Sequence, residues 1–164
     1  MAGGGGAVGE SAEWDAWGVV VAGIGPEGRA YVRDERTLQG REPVVWARAV
    51  VAAYGDYLAD RVVAEVNQGG DLVVTVLRQV DPAVAVRKVR ATRGKWLRAE
   101  PVAALYAQGR VAHVGTFEAL EDQMCLFGSD GIPKGRSPDR LDALVWALTD
   151  LMIGASGRPG VRRL

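Results

Sequence analysis

From residue 61 onward the sequence alternates short apolar runs with segments of helical periodicity, and this alternation restricts the fold more than any other feature. Strand-like runs fall at 61–66, 84–89 and 110–114, and helix-like segments fall at 71–80, 95–108 and 117–127. Pro101 marks either a kink in the second of these helices or its true start. Strands that alternate with helices pair in parallel through crossover helices.

The segments on either side of this alternation complete the prediction. Residues 17–33 have the pattern of a β-hairpin around a Gly- and Pro-containing turn at 25–28. Helical spacing of apolar residues predicts further helices at 43–58 and 138–153. The antiparallel hairpin added to parallel crossovers predicts an α/β domain with a mixed sheet and flanking helices. We expect a flexible Gly-rich N-terminus at 1–14, one domain at 15–153 and a loose tail at 154–164.

The charge balance limits the kind of partner that the chain binds alone. Its 164 residues include 20 basic and 20 acidic side chains, so the formal charge is zero. A protein that holds DNA unaided is usually basic, whereas a catalytic domain delivered to DNA by partners need not be. The one cysteine, Cys125, rules out an internal disulfide framework and is expected in the core. Without a signal peptide or a long apolar run, a cytoplasmic protein with no membrane partner is expected.

Carboxylates stand at two places where α/β domains often carry sites. Glu65 ends a short apolar strand, and ligand sites in open α/β sheets lie at such strand ends. Asp139 and Asp142 are three residues apart in the first turn of the last helix. Each has a simpler explanation: Glu65 points to solvent or caps a turn, and the two aspartates favour the helix dipole. The apolar stripe beside the aspartates would aim them at the sheet edge.

Carboxylates that converge from separate elements suit a hard divalent cation. Mg²⁺ and Mn²⁺ prefer oxygen ligands, and such ions stabilise the attacking and leaving oxygens of a phosphodiester. The lone histidine, His113, makes a His-rich zinc site or a Ser-His-Asp triad improbable and is expected to be a packed or surface residue. The sequence therefore favours metal-assisted phosphodiester chemistry.

A basic cluster lies between the second parallel strand and the helix that follows it. It comprises six cations within twelve residues: Arg87, Lys88, Arg90, Arg93, Lys95 and Arg98. Clustered cations beside a Gly-containing loop suit DNA phosphates, although a charged run is more often a solvated loop. Gly69 and Gly70 follow a strand and are a weak signal for phosphate binding by backbone N–H groups. No nucleotide-binding motif of the G-x-x-x-x-G-K-[ST] or G-x-G-x-x-G type is present in the sequence.

Four segments resemble a known family: VVAEVNQGGDLV (62–73), VRKVRATRGKWLRAEPVAALYAQGRVAHVG (86–115), LEDQMCLF (120–127) and SPDRLDALVWAL (137–148). They are similar to the C-terminal nuclease domain of large terminase subunits from tailed phages and gene-transfer-agent-like prophages. The resemblance covers residues 15–153 and implies a ribonuclease-H-like fold. It implies a Mg²⁺- or Mn²⁺-dependent endonuclease that cuts double-stranded DNA during genome packaging in a bacterial host cell. The implied partners are DNA, a terminase ATPase motor, portal and small terminase.

The resemblance also implies roles for particular residues. Glu65 matches the family's second-strand carboxylate, Asp139 its final helix carboxylate with Asp142 nearby, and Asp15 a further acid. The family's first strand, which carries an aspartate, has no counterpart in residues 1–14. We therefore expect either a truncated or a degenerate form of the domain. The alternatives to a nuclease are an inactive DNA- or partner-binding module and another ribonuclease-H-like enzyme such as a junction resolvase.

Overall fold

The computed structural model describes residues 16–40, 42–66, 71–128 and 137–154. Seven strands and five α-helices lie in these ranges, and a π-helical segment, Thr149–Ile153, extends the last helix. In chain order they are β1 (Ala16–Trp17), β2 (Val20–Ile24), β3 (Ala30–Glu35), β4 (Leu38–Gln39), α1 (Pro43–Asp56), β5 (Val62–Glu65), α2 (Asp71–Val80), β6 (Val86–Val89), α3 (Lys95–Ala107), β7 (Val111–His113), α4 (Glu118–Leu126) and α5 (Asp139–Leu148).

The strands form three small sheets within these ranges. Strands β2 and β3 make the predicted antiparallel hairpin, and β7 adds to β3 in parallel. Strand β5 pairs in parallel with β6, and the two-residue strands β1 and β4 pair with each other. In the described residues, no strand occupies the second edge of β2 or of β5.

Helices cover both faces of the β5–β6 pair. Alternate residues of a strand point to opposite faces, so each face contacts different helices. On one face Val62 and Val86 pack with α1 and α2 in a core around Trp46 and Leu77. On the opposite face Arg61 and Glu65 contact α5. Helix α5 also contacts β1 and β2, so it spans both groups of strands.

A second hydrophobic core lies beneath the hairpin sheet, between β3, β7 and the helices α3, α4 and α5. Leu120, Leu144 and Leu148 are fully buried there, together with Val32. The apolar stripe that predicted the last helix therefore holds α5 against this sheet. None of the described helices has the length and apolar character needed to cross a membrane.

The structure confirms the strand–helix order and corrects three details. Helix α3 begins at Lys95 with Pro101 inside it, so the idea that Pro101 starts the helix is wrong. Cys125 is exposed on α4 rather than buried in the core. The helix predicted to reach residue 153 changes to π-helical geometry at Thr149. Because Thr and Asp disfavour the helix interior only weakly, the sequence gives little sign of that change.

Candidate functional site

Helix α5 and strand β5 present matching rows of polar residues to each other. On α5 and its π-helical extension, Asp142, Trp146 and Asp150 recur every four residues and share one side. Arg61, just before β5, and Glu65, its last residue, lie on the face that meets this helix. Asp150 contacts the start of the strand and Trp146 its end, so the two elements run in opposite directions. This arrangement brings the first turn of α5 to the C-terminal end of β5.

Glu65 is held by an indole and a guanidinium. Trp146 Nε1 donates a hydrogen bond of 2.6 Å to Glu65 Oε2, and Arg98 Nη1 lies 3.3 Å from the same oxygen. The Arg98 guanidinium carbon is 4.8 Å from the centre of the Trp146 ring, a cation–π distance. The Glu65 carboxylate is therefore neither a solvated strand end nor a turn cap.

Asp142 completes the same cluster from the first turn of α5. Lys95 Nζ is 2.6 Å from Asp142 Oδ2, and Arg98 Nη2 is 3.4 Å from Asp142 Oδ1. Arg98 thus bridges Glu65 and Asp142, and its side chain is only 11% exposed. The two carboxylates and two cations balance in charge. We call Glu65, Arg98, Asp142, Lys95 and Trp146 the Arg98 cluster.

Asp139 lies one turn earlier on α5, against the hairpin side of the molecule. Ser137 Oγ donates a hydrogen bond of 2.6 Å to Asp139 Oδ1. The backbone carbonyl oxygen of Asp139 is 2.0 Å from where a Cβ on Gly18 would lie. Only glycine permits that approach between the β1–β2 junction and the start of α5. Among the described residues, no hydrogen bond or ion pair joins Asp139 to Glu65. The predicted acid Asp15 lies outside these residues.

A second charged cluster lies at the opposite end of the α5–β5 contact. Asp150 is 6% exposed, and its Oδ2 is 2.8 Å from Arg61 Nε and 2.7 Å from Arg61 Nη2. Arg87 Nη1 lies 2.5 Å from Oδ1 without the geometry of a hydrogen bond. These two arginines anchor the π-helical end of α5 to the starts of β5 and β6. Asp150, Arg61 and Trp146 were not among the site residues predicted from the sequence.

The predicted DNA-binding cations divide into several groups. Lys95 and Arg98 contact the carboxylates of the Arg98 cluster, and Arg87 contacts Asp150. Strand alternation places Lys88 on the face opposite to Arg87. Arg90 and Arg93 are exposed in the loop before α3. The prediction for Gly69 and Gly70 falls outside the described residues.

His113 has a packing role. Its Nε2 is 2.7 Å from the hydroxyl of Tyr106, and its Nδ1 is 2.8 Å from Glu121 Oε1. Burial raises the pKa of Tyr106, so this hydroxyl stays protonated at neutral pH. The hydrogen bond from His113 lowers the pKa of Glu121, helped by the backbone N–H of Phe117. The three side chains tie α3, β7 and α4 together, as expected for a packed histidine.

The donor chemistry of the Arg98 cluster fits a hard divalent ion. Glu65 and Asp142 supply carboxylate oxygens from separate elements, and Mg²⁺ is often held by only one or two carboxylates with water completing its shell. Within the described ranges, no three His, Cys, Asp or Glu side chains are grouped closely enough to hold a metal ion. The position between Glu65 and Asp142 is taken by the Arg98 guanidinium.

Arg61, Trp146 and Asp150 belong to two spacing patterns that are visible in the sequence. The i, i+4, i+8 spacing of Asp142, Trp146 and Asp150 gives α5 a polar side next to its apolar stripe. The i, i+4 spacing of Arg61 and Glu65 puts these charges on one face of an otherwise apolar strand. Two such rows could have been paired by charge, although their antiparallel alignment depends on the fold.

Comparisons with known proteins agree on one family. The model of the terminase RNaseH-like domain family matches residues 8–151. The structure resembles the crystal structure of the large terminase nuclease from thermophilic phage G20c, with a TM-score of 0.57, 16% identity and 84% of each chain covered. The cobalt-bound crystal structure of that nuclease gives a TM-score of 0.60, 17% identity and the same coverage. No curated protein matches the sequence significantly. These likenesses confirm the predicted ribonuclease-H-like α/β fold.

Proposed function

Because this chain belongs to the terminase RNaseH-like domain family, we propose that it is the nuclease domain of a DNA-packaging terminase. In this proposal residues 15–153 form the domain, and it cuts double-stranded DNA during phage genome packaging with Mg²⁺ or Mn²⁺. An ATPase motor, portal and small terminase deliver the DNA. A related nuclease carries bound cobalt, which supports the use of a divalent ion.

The observation that carries the proposal is the convergence of Glu65 and Asp142. They come from the end of β5 and the start of α5, and one guanidinium spans both. Two carboxylates that lie close together and partly out of solvent repel each other unless cations hold them, so their convergence supports a charged site at this end of the sheet. The geometry therefore supports Asp142 as the helix partner of Glu65, with Asp139 one turn away.

Each residue has a proposed role in cutting. Glu65 and Asp142 would hold a Mg²⁺ or Mn²⁺ ion, with Asp139 and Asp15 as further ligands, and the ion would supply an activated water and stabilise negative charge on the phosphodiester. Trp146 fixes the Glu65 carboxylate by its N–H donor. Arg90 and Arg93 lie exposed on the loop before α3 and bind the DNA backbone.

A Glu65→Gln variant tests the nuclease proposal. Glutamine keeps an oxygen acceptor for Trp146 but removes the charge that a divalent ion requires. We expect Mn²⁺-dependent nicking of supercoiled plasmid by the wild type, its suppression by a chelator, and its loss in Glu65→Gln. Glu118→Gln is the matched control, since Glu118 is exposed on α4. Equal nicking by the wild type and Glu65→Gln would rule out this site.

The same cluster gives an observation in favour of a second function. Arg98 and Lys95 already neutralise Glu65 and Asp142, as expected of a catalytically inactive DNA- or partner-binding module. That alternative predicts DNA retardation in gels with no cleavage at any Mn²⁺ concentration. A third candidate, a junction resolvase, predicts cleavage of branched DNA in preference to linear DNA. One Mn²⁺ titration on plasmid, linear and four-way-junction substrates distinguishes all three.

A further inference from the structure

Arg98 is held in an unusual way for a buried arginine. Its two contacts with carboxylates, at 3.3 and 3.4 Å, are longer than the usual charge-assisted hydrogen bond of about 2.7–2.9 Å. Its Nε is buried and has no hydrogen-bond partner among the described residues. The guanidinium is therefore retained mainly by the charge of Glu65 and Asp142 and by the Trp146 ring.

Lys95 and Trp146 do not depend on this guanidinium for their own contacts. Lys95 reaches Asp142 Oδ2, whereas Arg98 faces Oδ1. Trp146 bonds Glu65 Oε2 at 2.6 Å, much closer than Arg98 does. Both carboxylates thus remain anchored if Arg98 swings out, which leaves a cation position between two oriented oxygen donors.

We infer that Arg98 is an intramolecular competitor of the divalent ion: its guanidinium occupies the position between Glu65 and Asp142 and leaves when an ion binds there. An ion bound between the two carboxylates would need the space that the guanidinium fills, since Arg98 contacts both of them, whereas Lys95 reaches only the outer oxygen of Asp142. The released guanidinium becomes a donor for a DNA phosphate, because Arg98 lies in the first turns of α3, directly after the loop that carries Arg90 and Arg93. Metal occupancy and phosphate binding are thereby coupled through one side chain.

The test measures metal affinity rather than cutting. Mn²⁺ is titrated by calorimetry into the wild-type chain, Arg98→Met, and the control Arg48→Met, which removes an exposed charge from α1. We expect Arg98→Met to bind Mn²⁺ about tenfold more tightly, because the ion no longer has to displace a guanidinium from the two carboxylates. Arg48→Met should stay within about twofold, because a distant exposed charge is screened. Adding Glu65→Gln to Arg98→Met should abolish the gain.

A second measurement follows Arg98 itself. The Arg98 Nε–H signal is identified in NMR spectra by its loss in Arg98→Lys, and Mg²⁺ is then added to the wild type. We expect the signal to shift towards that of a solvent-exposed arginine as Mg²⁺ saturates. This measurement decides the matter if Arg98→Met fails to fold.

The outcomes separate this inference from the proposed function, on which it depends only for a divalent ion at Glu65 and Asp142. Tighter Mn²⁺ binding by Arg98→Met, together with a moving Nε–H signal, supports it. If the wild type binds Mn²⁺ and Arg98→Met binds it equally or more weakly, the inference is overturned. An Nε–H signal that does not change at saturating Mg²⁺ also overturns it. Either result leaves the nuclease proposal intact. Absence of Mn²⁺ binding in both proteins overturns both.

Discussion

The charged contacts of Asp150 with Arg61 and Arg87 predict which of these side chains lowers the free energy of unfolding most when it is replaced. The Asp150 side chain is 5% exposed, whereas the side chains of Arg61 and Arg87 are 41% and 49% exposed. Removing one partner of a fully buried ion pair lowers the free energy of unfolding by about 3–5 kcal/mol. A surface ion pair contributes only about 0–1 kcal/mol. The cluster lies between these limits, and the buried member is the acid.

Removing the acid leaves two arginines that water can reach. Asp150→Asn keeps the side-chain shape and creates no cavity, so we expect a loss of about 2 kcal/mol in the free energy of unfolding. The double variant Arg61→Met/Arg87→Met leaves a buried carboxylate with no cation, and we expect a loss of about 3–5 kcal/mol. Arg87→Met alone should cost about 1 kcal/mol or less, since Arg87 lacks hydrogen-bond geometry.

Urea unfolding at neutral pH measures these differences from the midpoint at constant slope. Arg48→Met is the control for loss of one exposed charge, with an expected change within about 0.5 kcal/mol. Salt should reduce the effect of Asp150→Asn only slightly, because partly buried pairs are poorly screened. If Asp150→Asn costs as much as the double arginine variant, the assignment of burial to the acid is wrong.

Three further predictions concern the hairpin, the histidine contact and the core. Gly18→Ala places a Cβ 2.0 Å from a carbonyl of α5 and should cost about 1–3 kcal/mol by urea unfolding, whereas Gly23→Ala, whose nearest atom is at 3.9 Å, should cost about 0.5 kcal/mol or less. The hydrogen bond from His113 lowers the pKa of Glu121, so the stabilisation from this contact is present above pH 4.5 and is lost as the pH falls through the lower pKa of the folded state. The difference in melting temperature between wild type and Glu121→Gln should therefore shrink over that pH range. A difference that stays constant would contradict this prediction. Leu144→Ala, at a fully buried position, should cost about 2–5 kcal/mol; a loss below about 1 kcal/mol would place this side chain outside the core.

Most of the element order could be predicted, because the apolar periodicity of a helix or a strand is visible within its own segment of the sequence. Helix α2 spans 71–80 as predicted, since its apolar residues recur at helical spacing between two turns. Strand β4, with two residues, leaves no periodic signal and was not predicted. The hairpin was predicted from its turn. That its strands and β5 belong to different sheets could not be predicted, because the pairing of distant strands leaves no periodic pattern in the sequence.

The candidate site shows a similar division. Glu65 was predicted as a metal ligand from its strand end, with Asp139 as its partner and Asp142 nearby on the last helix. The structure brings Asp142 rather than Asp139 to the guanidinium that contacts Glu65. The contacts of Lys95 and Arg98 could not be predicted, because a run of cations does not reveal which of them turn towards carboxylates distant in sequence. Asp150 was missed because an acid near a helix end usually points to solvent.

The separation of the hairpin sheet from the β5–β6 pair makes α5 the element on which their alignment depends. In the described ranges no backbone ladder joins β2 to β5, and α5 touches both. A substitution on α5 therefore acts on both groups of strands at once, because one side of the helix packs in the hairpin core and another contacts β5.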